Sequence, residues 1–145
     1  MLILVHQLNE RRTDMGLDQY AYRIKNGEAL EIAYWRKHNR LQGWMENLWI
    51  EKGKPNPQTD PNTGEVFDDF NCVDLELGWE DIIRLSDEIK NRRLPETGGF
   101  FFGGDSYDYR NDRGDYQDLK EDLIFLETAR MVLDAGDKVV YSSWW

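Results

Sequence analysis

A proline-rich stretch at residues 54–64 constrains the fold most strongly, because no helix or regular strand can run through it. Three of the four prolines in the chain, Pro55, Pro57 and Pro61, fall here. Proline fixes φ and has no backbone N–H, and the neighbouring Asn, Thr and Gly residues favour turns. We therefore expect an exposed loop over residues 53–65 that separates the elements before it from those after it.

The hydrophobic pattern on either side of this loop predicts helices and weak strands. Glu28 and Glu31 favour a helix N-terminus, Pro95 ends a second helix, and Gly136 ends a third. The pair Asn26-Gly27 is a turn signal. The predicted helices cover 28–51, 79–92 and 116–135, with a short helix at 17–24, and the predicted strands cover 2–6, 70–77 and 138–144.

These elements predict an α+β fold, in which three main helices pack on a small, mostly antiparallel sheet. The apolar strands are too few to form the buried parallel sheet of an α/β protein. A chain of 145 residues suits one domain with a real core, so we expect residues 1–145 to form a single domain.

The composition excludes several classes of protein. With 28 acidic and 18 basic side chains, the formal charge of −10 disfavours general nucleic-acid binding and anionic membranes. The hydrophobic fraction of 40% argues against disorder. A single cysteine, Cys72, excludes an intrachain disulfide. The apolar run at 1–5 is too short for a signal peptide or a membrane helix, so we expect a cytoplasmic protein.

Three sequence blocks carry a resemblance to a known family. They are Tyr34-Trp35-Arg36-Lys37-His38-Asn39, Leu94-Pro95 with the Gly-Gly-Phe-Phe-Phe-Gly run at 98–103, and Tyr141-Ser142-Ser143-Trp144. In these blocks the chain resembles a family of small proteins encoded mainly by bacteriophages and their bacterial hosts. The resemblance implies one shared fold and a phage or bacterial context, but no established activity.

The family resemblance carries two qualifications. Relatives carry His where this chain has Gln42, which weakens any proposal that needs an imidazole there. Some members bear a phosphoglycerate kinase name. This chain does not support it, because it lacks a phosphate loop ending in Lys-Ser or Lys-Thr and is too short for that two-domain enzyme.

The predicted first helix places Lys37 within an apolar face, between Tyr34 and Leu41. A lysine in that position needs an anionic partner or a route to solvent. It could form a structural ion pair with Asp122, on the apolar face of the third helix. It could instead line a pocket for an anionic ligand, or act as a catalytic lysine.

A glycine-bracketed aromatic run supplies a further candidate contact. Successive side chains of an extended segment point to opposite sides, so Phe100, Phe101 and Phe102 cannot all enter one core. At least one should face a ligand or a subunit interface, unless the run is a central strand covered on both faces. The predicted ligand-binding residues are Tyr34, Trp35, Arg36, Lys37, His38, Arg40, Trp44 and Phe101.

The sequence contains no motif for metal, cofactor or catalytic chemistry. The acidic residues between 105 and 118 do not follow the spacing of a calcium loop. Only His6 and His38 could serve a nucleophilic triad, and neither lies beside a serine elbow. We therefore expect no metal site and no bound cofactor.

Three functional hypotheses follow. The first is a non-catalytic phage-type protein that captures a small anionic, nucleotide-like ligand, such as a host immune signal, and so counters host defence. The second is an acidic interaction module that inhibits a host protein by mimicking nucleic-acid charge through 105–118. The third is an enzyme of undefined type. The terminal Trp144 and Trp145 should pack on the body of the protein or across a homodimer interface.

Overall fold

The computed structural model describes residues 16–95, Thr97 and 117–145, with the side chains of 117 and 118 left out. In chain order the elements are β1 (Asp18–Lys25), β2 (Glu28–Arg36), α1 (Asn39–Glu51), β3 (Leu75–Leu77), α2 (Trp79–Lys90), α3 (Gln117–Asp134) and β4 (Lys138–Trp144). Within these ranges, three helices accompany a four-stranded antiparallel sheet of order β2-β1-β4-β3. The predicted α+β class is confirmed.

The first two strands form a tight hairpin. Asn26 has φ 53° and Gly27 has φ 80°, as the two central residues of a type I′ turn require, and Asn-Gly is the preferred pair there. The predicted short helix at 17–24 is therefore wrong, as is the helix prediction over 28–36. In β1, Tyr20, Tyr22 and Ile24 enter one apolar cluster and Ala21 enters the other, which is the period of a strand and not of a helix.

The first helix is shorter than predicted because the chain turns before it. Lys37 adopts the left-handed conformation, with φ 57°, which ends β2 and redirects the backbone. The helix then begins at Asn39, and the ring of His38 accepts the N–H of Leu41 as an N-cap. Only residues 39–51 of the predicted helix 28–51 are helical.

The later elements agree more closely with prediction. α2 and α3 lie within the helices predicted at 79–92 and 116–135, and β4 matches the strand predicted at 138–144. The strand predicted at 70–77 is reduced to β3. The strand predicted at 2–6 lies outside the described residues.

The main hydrophobic core lies between the three helices and one face of the sheet. It joins Trp35 and Tyr141 of the sheet to Leu48 of α1, Leu85 of α2 and Phe125 of α3. A smaller cluster on the opposite face contains Tyr20, Tyr22, Ile24 and Val140, with Ala29 packed against it. Both faces of the central strands are therefore buried, which explains their apolar character.

Two segments, the proline-rich stretch and the C-terminal residues, lie at the periphery of the fold. Thr59 of the proline-rich stretch forms a β-bridge with Val66 just after it, and the stretch is exposed from Pro61 onward. Trp145 packs partly buried against the main core, where Asn71 bonds its backbone N–H and C=O. Across the described ranges, no helix is long and apolar enough to cross a membrane.

The Gly27→Ala substitution tests the hairpin turn. A Cβ at a positive φ is strained, so we expect the free energy of unfolding to fall by about 1 kcal/mol in urea titrations. Asn26→Gly is the matched control, because glycine also adopts that conformation, and it should change stability much less. Equal effects of the two substitutions would contradict the turn assignment.

Candidate functional site

The predicted site does not form one cluster, because residues 34–38 are not helical. The strand ends at Arg36, and successive side chains of β2 point to opposite faces. Trp35, His38 and Trp44 are buried in the core, whereas Arg36 and Lys37 are exposed. The prediction that these side chains share one part of a helix surface is therefore wrong. Phe101 lies outside the described residues.

The predicted ion pair between Lys37 and Asp122 is also wrong. Asp122 is fully buried on α3, and its carboxylate accepts the indole N–H of Trp35 at 3.0 Å. His38 Nε2 lies 2.9 Å from the same carboxylate. Asp122 therefore does meet the segment predicted to contact it, but through Trp35 and His38 and not through Lys37. The exposed position of Lys37 also removes the buried setting that a catalytic role required.

His38 joins the start of α1 to α3. Its Nδ1 accepts the backbone N–H of Leu41 at 3.3 Å, so the ring proton lies on Nε2 and is donated to Asp122. Both ring nitrogens are thus engaged in holding the fold together. The arrangement positions the helix and leaves no ring nitrogen for general-base chemistry.

A series of buried hydrogen bonds continues from His38 across the sheet. The Gln19 side-chain amide accepts the His38 N–H at 2.8 Å and donates to the His38 carbonyl at 2.9 Å. It also donates to the Tyr141 hydroxyl at 2.9 Å, which in turn donates to Gln42 Oε1 at 2.5 Å. Gln42 Nε2 donates to the Ser143 hydroxyl at 2.9 Å. We call this series the core polar chain: Asp122, His38, Gln19, Tyr141, Gln42 and Ser143.

The core polar chain was missed from the sequence, although a signal was present. Gln19 stands between Leu17 and Ala21, and Ser143 follows Tyr141 by two positions, so each polar residue interrupts an inward-facing apolar series. Such an interruption indicates either a strand end or a satisfied buried polar group. The structure shows a satisfied buried polar group in each case, since donors and acceptors from β1, β4, α1 and α3 meet.

Burial raises the pKa of Glu46 and, more strongly, that of three groups on or near β3 and β4. It raises the pKa of Asp74, just before β3, to about 7. It raises the pKa of the half-buried Cys72 thiol to about 12, with the carboxylates of Asp69 and Asp74 adding to the effect. Burial also raises the pKa of Tyr141 far above its ordinary value. The thiol and the phenol are therefore kept neutral and unreactive at physiological pH.

Two of the predicted basic residues do come together, beside Gly16. A Cβ placed on Gly16 would lie 3.1 Å from Cε of Lys37 and 3.8 Å from Nη2 of Arg36. Arg36 Nη1 lies 3.5 Å from the buried carboxylate of Asp18, which also accepts the Tyr34 hydroxyl at 2.6 Å. We call this arrangement the Arg36–Lys37 corner. The Arg36 side chain is 42% exposed and the Tyr34 residue 38%.

The remaining basic residue of the prediction points elsewhere. Arg40 Nη1 donates to the carbonyl of Leu94 at 3.2 Å and so ties α1 to the segment after α2. Trp44 lies beneath the guanidinium of Arg84, whose Cζ is 6.0 Å from the ring centre. Within the described part of the chain, no group of three or more His, Cys, Asp or Glu side chains could hold a metal ion.

Comparisons with protein-family models, with curated proteins and with solved structures found no match for this chain. The resemblance to phage-encoded proteins therefore stays a prediction from the sequence.

The Asp122→Ala substitution tests the central role of this carboxylate. It leaves the buried N–H groups of Trp35 and His38 without their acceptor, so we expect a loss of about 3 kcal/mol in the free energy of unfolding. Glu127→Ala, at an exposed position on the same helix, should change it by less than about 0.5 kcal/mol. Similar losses for both variants in urea titrations would refute the assigned role.

Asp74 should make stability depend on pH. Its pKa is raised to about 7 in the folded protein. In the unfolded chain, the pKa of an Asp carboxyl is about 3.9. Between these values the folded protein binds more protons than the unfolded one, so the free energy of unfolding falls as pH rises through this window. The Asp74→Asn variant lacks this contribution and should gain stability relative to wild type over the same range.

Urea titrations at several pH values measure this difference. Glu65→Gln, at an exposed loop position, serves as the control and should follow the wild-type profile. A constant difference between wild type and Asp74→Asn at all pH values would show that Asp74 does not titrate in this window.

Proposed function

We propose that this protein is a non-catalytic binding protein that captures a small anionic, nucleotide-like ligand at the Arg36–Lys37 corner. The observation that supports the proposal is the convergence of the Arg36 guanidinium and the Lys37 side chain beside Gly16. The two cations face solvent in a chain whose formal charge is −10. Local basicity against this background favours a small anion over a long polyanion, which the rest of the surface repels.

The chemistry of the two cations suits a phosphate group. A guanidinium offers parallel N–H donors that match two phosphate oxygens, and an ammonium adds a compact point charge. The buried Asp18 carboxylate holds Arg36 from behind, so less side-chain freedom is lost when a ligand binds. Among the described residues at the corner, two cations stand against one carboxylate.

The backbone at the corner is fixed before any ligand binds. Lys37 donates its N–H to the carbonyl of Leu17 at 2.9 Å, and it holds a left-handed φ of 57°. Gly16 has φ 115°, a conformation that side-chain-bearing residues rarely adopt. Because Gly16 has no side chain, an anion is able to approach the backbone and both cations together.

Tyr34 gives the corner an aromatic neighbour. Its hydroxyl is held by Asp18 at 2.6 Å, and its ring packs against Tyr20 with 5.2 Å between centroids. The exposed part of this ring is a surface on which a nucleobase could stack beside a bound phosphate. The resemblance to phage-encoded proteins suggests a nucleotide signal of the host as the ligand class.

Isothermal titration against a panel of cyclic nucleotides and ADP-ribose derivatives tests the proposal. We expect at least one of them to bind. Arg36→Ala and Lys37→Ala should each weaken that binding by about tenfold, because each removes a charge-assisted contact. Lys90→Ala, on the exposed side of α2, removes a cation elsewhere and should leave the affinity unchanged. Absence of heat with every compound, or full affinity in the Arg36→Ala/Lys37→Ala double variant, would refute the proposal.

A further inference from the structure

The outer side of α2 exposes large apolar side chains. Trp79 is 44% exposed and Ile83 is 60% exposed, although the helix already buries Ile82, Leu85 and Ile89 in the main core. The two exposed residues stand four positions apart, so they are neighbours on the helix surface. A helix with apolar residues on its outer side as well as its inner side is typical of one that packs against a further partner.

Charged residues accompany these two apolar residues. Six exposed residues form this side of the helix, which we call the outer α2 face: Trp79, Glu80, Ile83, Arg84, Asp87 and Lys90. At about 100° per residue they fall within an arc of about 140°, with Ile83 between Trp79 and Asp87. The two acids and two bases cancel, so this face has no formal net charge.

The charge balance of the outer α2 face favours a second copy of this chain as the partner. The formal charge of −10 makes two copies repel each other in general. This repulsion is weakest where two surfaces without net charge meet, and a low net charge promotes association. A strongly basic partner would instead be attracted to the acidic parts of the chain.

The order of the charges fits two α2 helices that run antiparallel. With a two-fold axis at Ile83, residues before Ile83 in one copy meet residues after it in the other. At a rise of 1.5 Å per residue, Glu80 then lies about 3 Å along the helix axis from Arg84 of the other copy, on the same edge of the pair. Lys90 lies about 4.5 Å along the axis from Trp79 of the other copy. The antiparallel arrangement also sets the positive end of each helix dipole beside the negative end of the other.

The ion pairs already present within one chain are compatible with this arrangement. Arg84 Nη2 lies 3.1 Å from Glu51 Oε2, and the Arg84 side chain is 52% exposed, so its other N–H donors remain accessible to a second carboxylate. Asp87 is the acid that would approach Glu80 of the other copy. Its carboxylate pairs with Arg93 of its own chain, which offsets the repulsion between the two acids.

We infer that two copies of this chain associate through their outer α2 faces as an antiparallel, two-fold pair. Ile83 packs against its equivalent at the axis, each Glu80 pairs with Arg84 of the other copy, and each Lys90 covers the Trp79 ring of the other copy. This interface uses other residues than the Arg36–Lys37 corner, and its test is independent of the proposed small-ligand function.

The size of the interface sets the strength of the dimer. A helix of 12 residues is about 18 Å long and about 10 Å wide. One pair of such helices buries less than the roughly 1,200 Å² at which stable protein interfaces begin. The dimer should therefore form reversibly, at a concentration in the micromolar range or above.

Sedimentation equilibrium of the full chain tests the inference. We expect the average mass to rise from 17.2 kDa toward twice that value between about 1 μM and about 1 mM protein. Ile83→Lys places two like charges at the axis and should weaken association by at least about tenfold. Met131→Lys, at a position on α3 that is 67% exposed, is the matched control and should associate as wild type does.

A charge exchange tests the antiparallel register. Glu80→Arg and Arg84→Glu should each weaken association by about tenfold, because each sets like charges against each other across the pair. The double variant restores both ion pairs with their signs reversed and should recover wild-type association. Thermal unfolding followed by circular dichroism verifies that each variant is folded.

A cysteine at the axis supplies a second readout. Ile83→Cys, in a Cys72→Ala background, should form a disulfide-linked dimer on oxidation, because the two thiols face each other. Met131→Cys in the same background should remain monomeric under the same conditions.

Every other result overturns the inference. A mass of 17.2 kDa at all concentrations, or a dimer that Ile83→Lys leaves intact, would exclude the outer α2 face as an interface between copies. A double charge variant that stays as weak as its parents would exclude the antiparallel register. Equal disulfide formation at positions 83 and 131 would show that the thiols meet by random collision.

Discussion

The buried carboxylate of Asp122 is the interaction on which the described structure depends most. It lies on α3 with no exposure and accepts hydrogen bonds from Trp35 of β2 and His38 at the start of α1. A buried charge is tolerated only when its oxygens are satisfied, so the three elements must keep this relative placement. The fold is therefore specified by a polar interaction inside a hydrophobic cluster.

The core polar chain extends the same constraint across the sheet. The Gln19 side chain accepts the backbone N–H of His38 and donates to its carbonyl. It also donates to the hydroxyl of Tyr141 on β4. A shift of any strand by one residue would reverse every side chain and leave these buried groups without partners. The chain of hydrogen bonds thus fixes register where the small apolar residues of β1, such as Ala21, specify little.

The sequence predicted the fold class and the later elements, but not the first half of the described chain. The later helices have clear ends, such as Gly136 after α3, whereas residues 28–38 fit the helical period of the helix that follows them by coincidence. Leu30, Tyr34 and Leu41 fit one helix face, yet Leu30, Ile32 and Tyr34 fit an alternating strand equally well. Asn26-Gly27 between two alternating runs was the deciding signal for a hairpin. The turn at Asn26-Gly27 and the pairing of β2 with β1 therefore determine the structure of residues 28–36, whatever their helix propensity.

The same error explains the outcome for the candidate site. The sequence marked the right segment, since Asp122 does reach it, but residue spacing on a false helix assigned the contact to Lys37. Only the pairing of β1 with β2 shows that Trp35 and His38 turn inward while Arg36 turns outward. Long-range contacts such as that between His38 and Asp122 have no local sequence signature. They follow from the fold and cannot be obtained from composition or periodicity.

The left-handed conformation of Lys37 brings the two cations of the Arg36–Lys37 corner together. Consecutive residues of a strand point apart, so Arg36 and Lys37 approach the same glycine only because the backbone turns between them. If the start of α1 frayed, that turn would relax and the two charges would separate. An anion held by both would therefore resist fraying, and the occupancy of the corner and the order of the first helical turn would rise and fall together.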